Sequence, residues 1–439
     1  MEILKYFTDP VLRAPTLGCM LMCLSSSLVG ILVFIRKRSL LGEALSHASY
    51  PGVVLSIVLL AGFLSFSDQS MLIAVLSGAF LSSLLGLWVI DLMERKLRIK
   101  NDAALCFVLS VFFGVGLLFA SRMQVTHTLW YKQIQSFLFG QAATMTEIHL
   151  VIYGALALLI IISMTLLYRF IEMINFDRGY AKIMGISIKV IEGFLFILLV
   201  LAIVIGIRSV GVVLMSSMLI SPVVAARQMT HKLKRLLVLS GILGMIAGFL
   251  GNYLSFELSV WFSQKEQVKF SLPTGPTIVL ASSMICMLSI LFASKGLVNR
   301  FFRTLRFRER CQIENLLKSM WKEGKTAAFA LKNLSNRHSL SIFMTHFLLA
   351  RMKKQHWVES LPHQEYRLTE EGIHQGARIV RLHRLWEAYL VYMGQGREKV
   401  HRSAEEMEHI LTPEMEKELT LLLKHPKKDP HQQPIPEIL

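Results

Sequence analysis

The stretch LGCMLMCLSSSLVGILVFI, residues 17–35, runs straight into Arg36, Lys37 and Arg38. A helix needs about 20 apolar residues to cross the hydrocarbon core of a bilayer, and backbone groups in lipid must be satisfied inside their own segment. The run therefore reads as a membrane-spanning helix closed by a basic cluster. Similar runs follow near 51–67, 70–93, 103–121, 148–168, 189–207, 209–226, 236–257 and 276–294, so about nine spans are expected by length and composition. The chain is 53% hydrophobic and 18% charged over 439 residues, less charge than a soluble chain carries. No secretory signal is expected, since the first run lacks a small-residue cleavage site and is followed by many more.

The net charge of +17 has two sources, the loops and the tail. Basic residues cluster at Arg36–Arg38, at Arg95, Lys96, Arg98 and Lys100, at Arg178, Lys182 and Lys189, and at Lys232, Lys234 and Arg235. These fall in alternate loops. With positive loops inside, the N-terminus is expected outside and everything beyond Lys295 in the cytoplasm. Cys19, Cys23, Cys106, Cys286 and Cys311 have no spacing that suggests disulfides or a zinc knuckle.

Three loop segments carry local signals. Directly after the first basic cluster stands SLLGEALSHASYPG, residues 39–52. Glu43 and His47 are four apart and share a helical face, a pairing that suits a divalent metal or a proton relay, or simply an interfacial helix with a satisfied pair. Residues 175–185, NFDRGYAKIMG, are polar between two apolar runs and could form a surface helix that docks a partner. Residues 210–227, VGVVLMSSMLISPVVAAR, are studded with small residues that let helices approach closely. Pro222 within them frees a backbone carbonyl, which in transport proteins can line a polar path.

This arrangement resembles the permease subunit of the ABC importers for manganese, zinc and iron. Their Gly-Asp-Ala-x-Ser-His-Ala-x-x-Pro-Gly block stands here as Gly42 to Pro51-Gly52, with Glu43 in place of the aspartate. Further similar pieces are Phe137-Leu138-Phe139-Gly140, the Phe176–Gly185 loop, the Val210–Arg227 run and Pro273 to Val279. The resemblance covers about 15–295 and implies a homodimeric permease in a bacterial inner membrane. It also implies an extracytoplasmic metal-binding protein that delivers cargo, Glu43 and His47 on the metal path, and coupling to an ATPase through the segment from Asp177 to Gly185. That ATPase must be a separate subunit, because no Gly-x-x-x-x-Gly-Lys-Ser/Thr loop occurs in the chain.

Beyond Lys295 the composition becomes that of a soluble domain. A basic, aromatic-laced connector spans 296–308, suited to anionic lipid headgroups and exposed to cleavage. Helices are expected over Arg310–Lys322, Thr326–Leu334 and Ser339–Lys354, then a hairpin over 357–368 and a long helix to about Leu390. Helices followed by a wing make a winged helix-turn-helix. Its third helix, carrying Thr345, His346, Arg351 and Lys353, is expected to enter the major groove. His383 and Glu387 are i,i+4, and His401, Glu405, Glu408 and His409 follow within residues 383–409. These nitrogen and oxygen donors suit a first-row divalent cation.

The tail resembles the iron- and manganese-dependent repressors of the diphtheria toxin repressor family. His383-Arg384-Leu385-Trp386-Glu387, Lys399-Val400-His401, Glu408-His409 and the closing Gln433-Pro434-Ile435-Pro436 carry that resemblance. It implies an ancillary metal site of His383, Glu387 and His401. It also implies a primary site of Glu405, Glu408 and His409, completed by Cys311 with Glu314 nearby. A thiol at Cys311 points to Fe(II) ahead of Mn(II) and Zn(II). The expected organisation is thus an all-helical membrane permease over 1–295, a connector over 296–308, a winged helix over 309–372, and a metal-binding and dimerisation domain over 373–439. The last two make a DNA-binding repressor that cleavage of the connector would release.

Overall fold

The computed structural model describes residues 2–437 except 62–67, 127–130, 132, 133, 136, 139, 141, 213, 267–271 and 397–399. Phe139 and Lys399 of the motifs above lie outside the described residues. The chain divides into two compact units, Met1–Asn299 and Arg300–Leu439.

The first unit is helical. It comprises α1 (Glu2–Thr8), α2 (Pro10–Ile35), α3 (Leu41–Ala61), α4 (Asp68–Arg95), α5 (Asn101–Thr126), α6 (Glu147–Leu166), α7 (Tyr168–Phe176), α8 (Arg178–Ile183), α9 (Ile188–Val210), α10 (Met215–Met229), α11 (Leu233–Glu266) and α12 (Thr274–Phe292). Asp9 starts α2, its carboxylate accepting from the Val11 N–H at 2.8 Å, with Pro10 in the first turn, where no N–H is needed. α2 is largely buried from Ala14 to Val33 and packs against α6, α9, α10 and α11, while α3 packs against α4 and α5. Small residues permit these contacts: a Cβ at Gly30 would lie 1.9 Å from the Leu219 carbonyl oxygen.

Among the described residues seven helices are long and apolar enough to cross a membrane. The two expected spans not among them are 51–67 and 209–226. The first belongs to α3, which opens on the polar Glu43–His47 motif and runs toward residues outside the description. The second is α10, only 15 residues long, with Pro222 inside it.

The second unit begins within a single helix, α13 (Leu297–Glu323). This helix covers both the expected connector and the expected helix from Arg310. It is followed by β1 (Phe329–Ala330), α14 (Leu331–Arg337), α15 (Ile342–Lys354), β2 (Val358–Leu361), β3 (Glu365–Leu368), α16 (Glu370–Tyr392), α17 (Val400–Met407) and α18 (Pro413–Leu422). The sheet is antiparallel in the order β1-β3-β2, with Val358 opposite Leu368 and Phe329 opposite Tyr366. Leu316, Leu317 and Met320 of α13 and Leu348, Leu349 and Met352 of α15 form its core beneath that hairpin. Ser341 caps α15 by accepting from the Met344 N–H at 3.2 Å, and Thr369 caps α16 by accepting from Gly372 at 3.1 Å.

Candidate metal centre and motif sites

One helical turn on α16 places His383 and Glu387 side by side, and the start of α17 brings His401 to them. His401 Nδ1 lies 2.8 Å from Glu387 Oε1 and 3.1 Å from His383 Nε2, which is itself 3.2 Å from Glu387 Oε1. One ligand atom from each of the three lies within 4.8 Å of the others. His383 and Glu387 are buried and His401 is exposed at the rim. The other His383 nitrogen, Nδ1, meets Glu408 Oε2 at 2.6 Å, and that contact orients the ring.

The electrostatics fit a cation. Burial pushes the Glu387 carboxyl up, but hydrogen bonds and charge from His383 and His401 outweigh it and hold it down to about 2. Burial also lowers His383, yet its bonds to Glu387 and Glu408 prevail and raise it above its ordinary value. Glu408 at Nδ1 and Glu387 at Nε2 thus favour a proton on each ring nitrogen; Nε2 is the position a metal ion would take, so metal uptake here would be coupled to proton release. Two imidazole nitrogens and a carboxylate oxygen suit a first-row divalent ion.

The remaining expected ligands divide. Glu314 Oε2 lies 2.6 Å from His409 Nδ1, and the same carboxylate takes Arg310 Nε at 2.7 Å. Glu408 stands 3.7 Å from His409 Nε2. Glu405 turns away: its side chain is largely exposed and lies 3.5 Å from His401 Nε2. Cys311 sits one turn before Glu314, half-buried, its thiol pushed up by burial and by the Glu314 charge. Sequence reasoning missed Lys318. Its ammonium donates to both Glu408 oxygens at 2.7 and 3.0 Å and lies 3.1 Å from His383 Nδ1, in a buried position. Cys311, Glu314 and Lys318 fall at i, i+3 and i+7, one face of a helix; that spacing was the available signal.

On α15 one expectation is corrected. Thr345 is fully buried and its hydroxyl donates to the Ser341 carbonyl at 3.1 Å, so it faces the core and cannot reach DNA. His346 is exposed beside the Tyr366 hydroxyl at 3.4 Å, Arg351 pairs with Glu309 at 3.1 Å, and Lys353 donates to Ser360 at 2.8 Å. The outer face also presents Ile342, Phe343 and Phe347.

In the membrane unit Glu43 and His47 lie on the first two turns of α3. His47 is buried with its ring edge-on to Phe113 at 4.6 Å, and its Nδ1 has no hydrogen-bond partner among the described residues; nor has the Tyr50 hydroxyl one turn on. Asp177 caps α8 by accepting from Tyr180 N–H at 3.0 Å. Gly185 follows with φ of +75°, a left-handed turn that glycine adopts without strain. Phe176, Tyr180, Ile183 and Met184 are exposed around this short helix, above a cleft lined by Arg36, Arg38, Glu94, Arg178 and Glu192.

Residues 8–293 match the model of the ABC 3 transport family. The chain belongs to the ABC 3 transport family. It is thus a multi-pass membrane permease chain rather than an enzyme. Residues 369–437 match a second family, the iron dependent repressor metal binding and dimerisation domain, so this ABC 3 chain carries a repressor domain at its C-terminal end. A probable metal transport system membrane protein of Chlamydia trachomatis is 35% identical, covering 98% of this chain and 97% of the relative. A manganese transport system membrane protein, MntC of Bacillus subtilis, is 30% identical over 85% of this chain and 83% of its own length. Among solved structures, PsaBC from Streptococcus pneumoniae in complex with Fab matches with TM-score 0.55 and 25% identity, covering 67% of this chain and 96% of that one.

Proposed function

We propose that the chain is the permease of a divalent-metal importer joined to a metal-dependent, DNA-binding repressor, so that the ion carried by the first half is sensed by the second. The observation that carries this reading is the His383–Glu387–His401 cluster inside the matched repressor domain. His383 and Glu387 on α16 and His401 on α17 would hold the ion, whose charge offsets the buried carboxylates and ties the two helices together. The membrane unit spans nine times, N-terminus outside and tail inside, as the basic loops require. Glu43 and His47 serve the metal path, and Asp177 to Gly185 contact a separate ATPase. An extracytoplasmic binding protein supplies the ion, and two copies form the permease. The sensed ion is a first-row divalent cation, which two imidazole nitrogens and a carboxylate oxygen suit, and the titration below ranks Fe(II), Mn(II) and Zn(II) against one another.

Operator DNA is the partner of the tail, with His346, Arg351 and Lys353 toward it, and cleavage within 296–308 frees the tail from the membrane. The test is DNA binding by the full chain in nanodiscs to the promoter of its own transport operon, titrating Fe(II), Mn(II) and Zn(II) anaerobically at fixed salt. Metal-dependent binding lost in His401→Ala supports the reading; binding indifferent to metal and to that substitution sinks it. Release is checked separately by blotting native cells with a tail antibody, where a single full-length band under every metal condition rejects cleavage.

One observation favours a second reading. Exposed Ile342, Phe343 and Phe347 on α15 suit protein contact better than groove contact, which would make the tail a regulator of transport without DNA. Phe343→Ser altering uptake while Arg351→Ala leaves it unchanged would select that alternative.

A further inference from the structure

We propose that Lys318 is a tethered cation standing where a second metal ion would sit, which limits this unit to one divalent ion, at His383, Glu387 and His401. The inference rests on the metal-centre reading above. Lys318 reaches in from α13 and grips both oxygens of Glu408, at 2.7 and 3.0 Å, in the manner of a chelated ion. Its side chain is 9% exposed and the Glu408 side chain 0%. A buried ammonium is retained only when paired, and here the pairing is bidentate.

Charge bookkeeping closes around it. Of the carboxylates expected to make a primary site, Glu408 is matched by Lys318, and Glu314 by Arg310 at 2.7 Å with His409 at 2.6 Å. Glu405 is outside the group altogether, beside His401. No negative charge is left to attract a divalent ion, and one entering there would meet an ammonium in a site with little water to screen it. The second expected site therefore does not fit a metal in this chain.

Glu408 is then a positioning residue rather than a ligand. Its Oε2 holds His383 Nδ1 at 2.6 Å and so aims Nε2 at Glu387 and His401. Lys318 keeps that carboxylate in place through both oxygens. It also fastens α13, which carries the winged unit's core, to the segment after α17 without any ion.

The test counts tightly bound Mn(II) per full-length chain in detergent, by elemental analysis after desalting. His401→Ala is expected to lower the count by one per chain, and His409→Ala to leave it as in the wild type. Lys318→Met is expected to raise it by one, the added ion vanishing when His409→Ala is combined with it; Lys318→Arg keeps the wild-type count. The proposal is overturned if His409→Ala removes an ion from the wild-type chain, or if folded Lys318→Met binds no more than wild type. Should Lys318→Met fail to fold, the His409→Ala arm decides alone. Failure of the metal-centre reading has its own signature: His401→Ala would then remove nothing, whatever Lys318 does.

Discussion

The two units bury polar groups by opposite rules. Among the described residues of Met1–Asn299 the buried polar side chains are serines, threonines, histidines and an asparagine, with no Asp, Glu, Lys or Arg. Several hydroxyls bond within their own helix, as Ser26 does to the Met22 carbonyl at 2.9 Å and Ser46 to Gly42 at 2.7 Å. In Arg300–Leu439 the buried set includes Lys318, Glu387, Glu408, Glu416 and Asp429, paired across elements: Lys318 with Glu408, and Glu416 with Arg381 at 3.1 Å. Ionised groups at membrane depth are costly, so the first unit keeps its interior neutral, both within helices and where Asn252 meets Thr16 at 2.9 Å or Ser289 meets the Ala225 carbonyl at 2.7 Å. The second retains charge by cross-linking distant segments. Polar burial is therefore neutral in one unit and ionic in the other.

Substitutions can break or sharpen this contrast. Glu408→Ala strands the Lys318 ammonium, and unfolding by denaturant should show a loss of about 3–5 kcal/mol in the second unit. An effect confined to a few tenths would mean the pair is not structural. Gly30→Ala puts a methyl against the Leu219 backbone, and thermal unfolding in detergent should register about 1–3 kcal/mol of overpacking between α2 and α10. Ser46→Ala deletes a bond within one helical turn and should cost no more than about 1 kcal/mol; a loss matching that of Glu408→Ala would erase the distinction. The smallest effect is a pH slope. Burial, with Arg337 nearby, depresses His338, which bonds Ser319 at 2.8 Å. Its neutral form is favoured in the fold, so its contribution is present above the ordinary histidine value of 6.5 and is lost as pH falls through the lowered one. A melting-temperature series from pH 8 to 5 should flatten in His338→Gln.

The same contrast explains what could be read from the sequence. Membrane helices announce themselves by composition, so α2, α4, α5, α6, α9, α11 and α12 were all foreseen. α10, with 15 residues and Pro222 inside it, falls short of the length by which the other spans are read. His383, Glu387 and His401 were legible because i,i+4 spacing fixes neighbours on one helix and only one further helix had to be placed. Lys318 was not, since a lysine in a basic amphipathic helix looks like a solvated face until the partner 90 residues away is known. Thr345 was misassigned for a local reason. It stands three, four and seven residues before Leu348, Leu349 and Met352, the buried face of α15, and that spacing turns Thr345 inward and Phe343 outward.

α13 runs unbroken from Leu297 to Glu323, and residues 296–308 of the expected connector are almost wholly inside it. Proteolysis concentrates where backbone is exposed and unstructured, and a wound helix offers no such strand. A cut there would wait on fraying, and its rate would follow the fraction of time the turn stands open. The helix would act as a clock for how long the tail remains at the membrane. Its setting would lie in the winding of residues around Phe301 and Phe302, far along the chain from His383, Glu387 and His401.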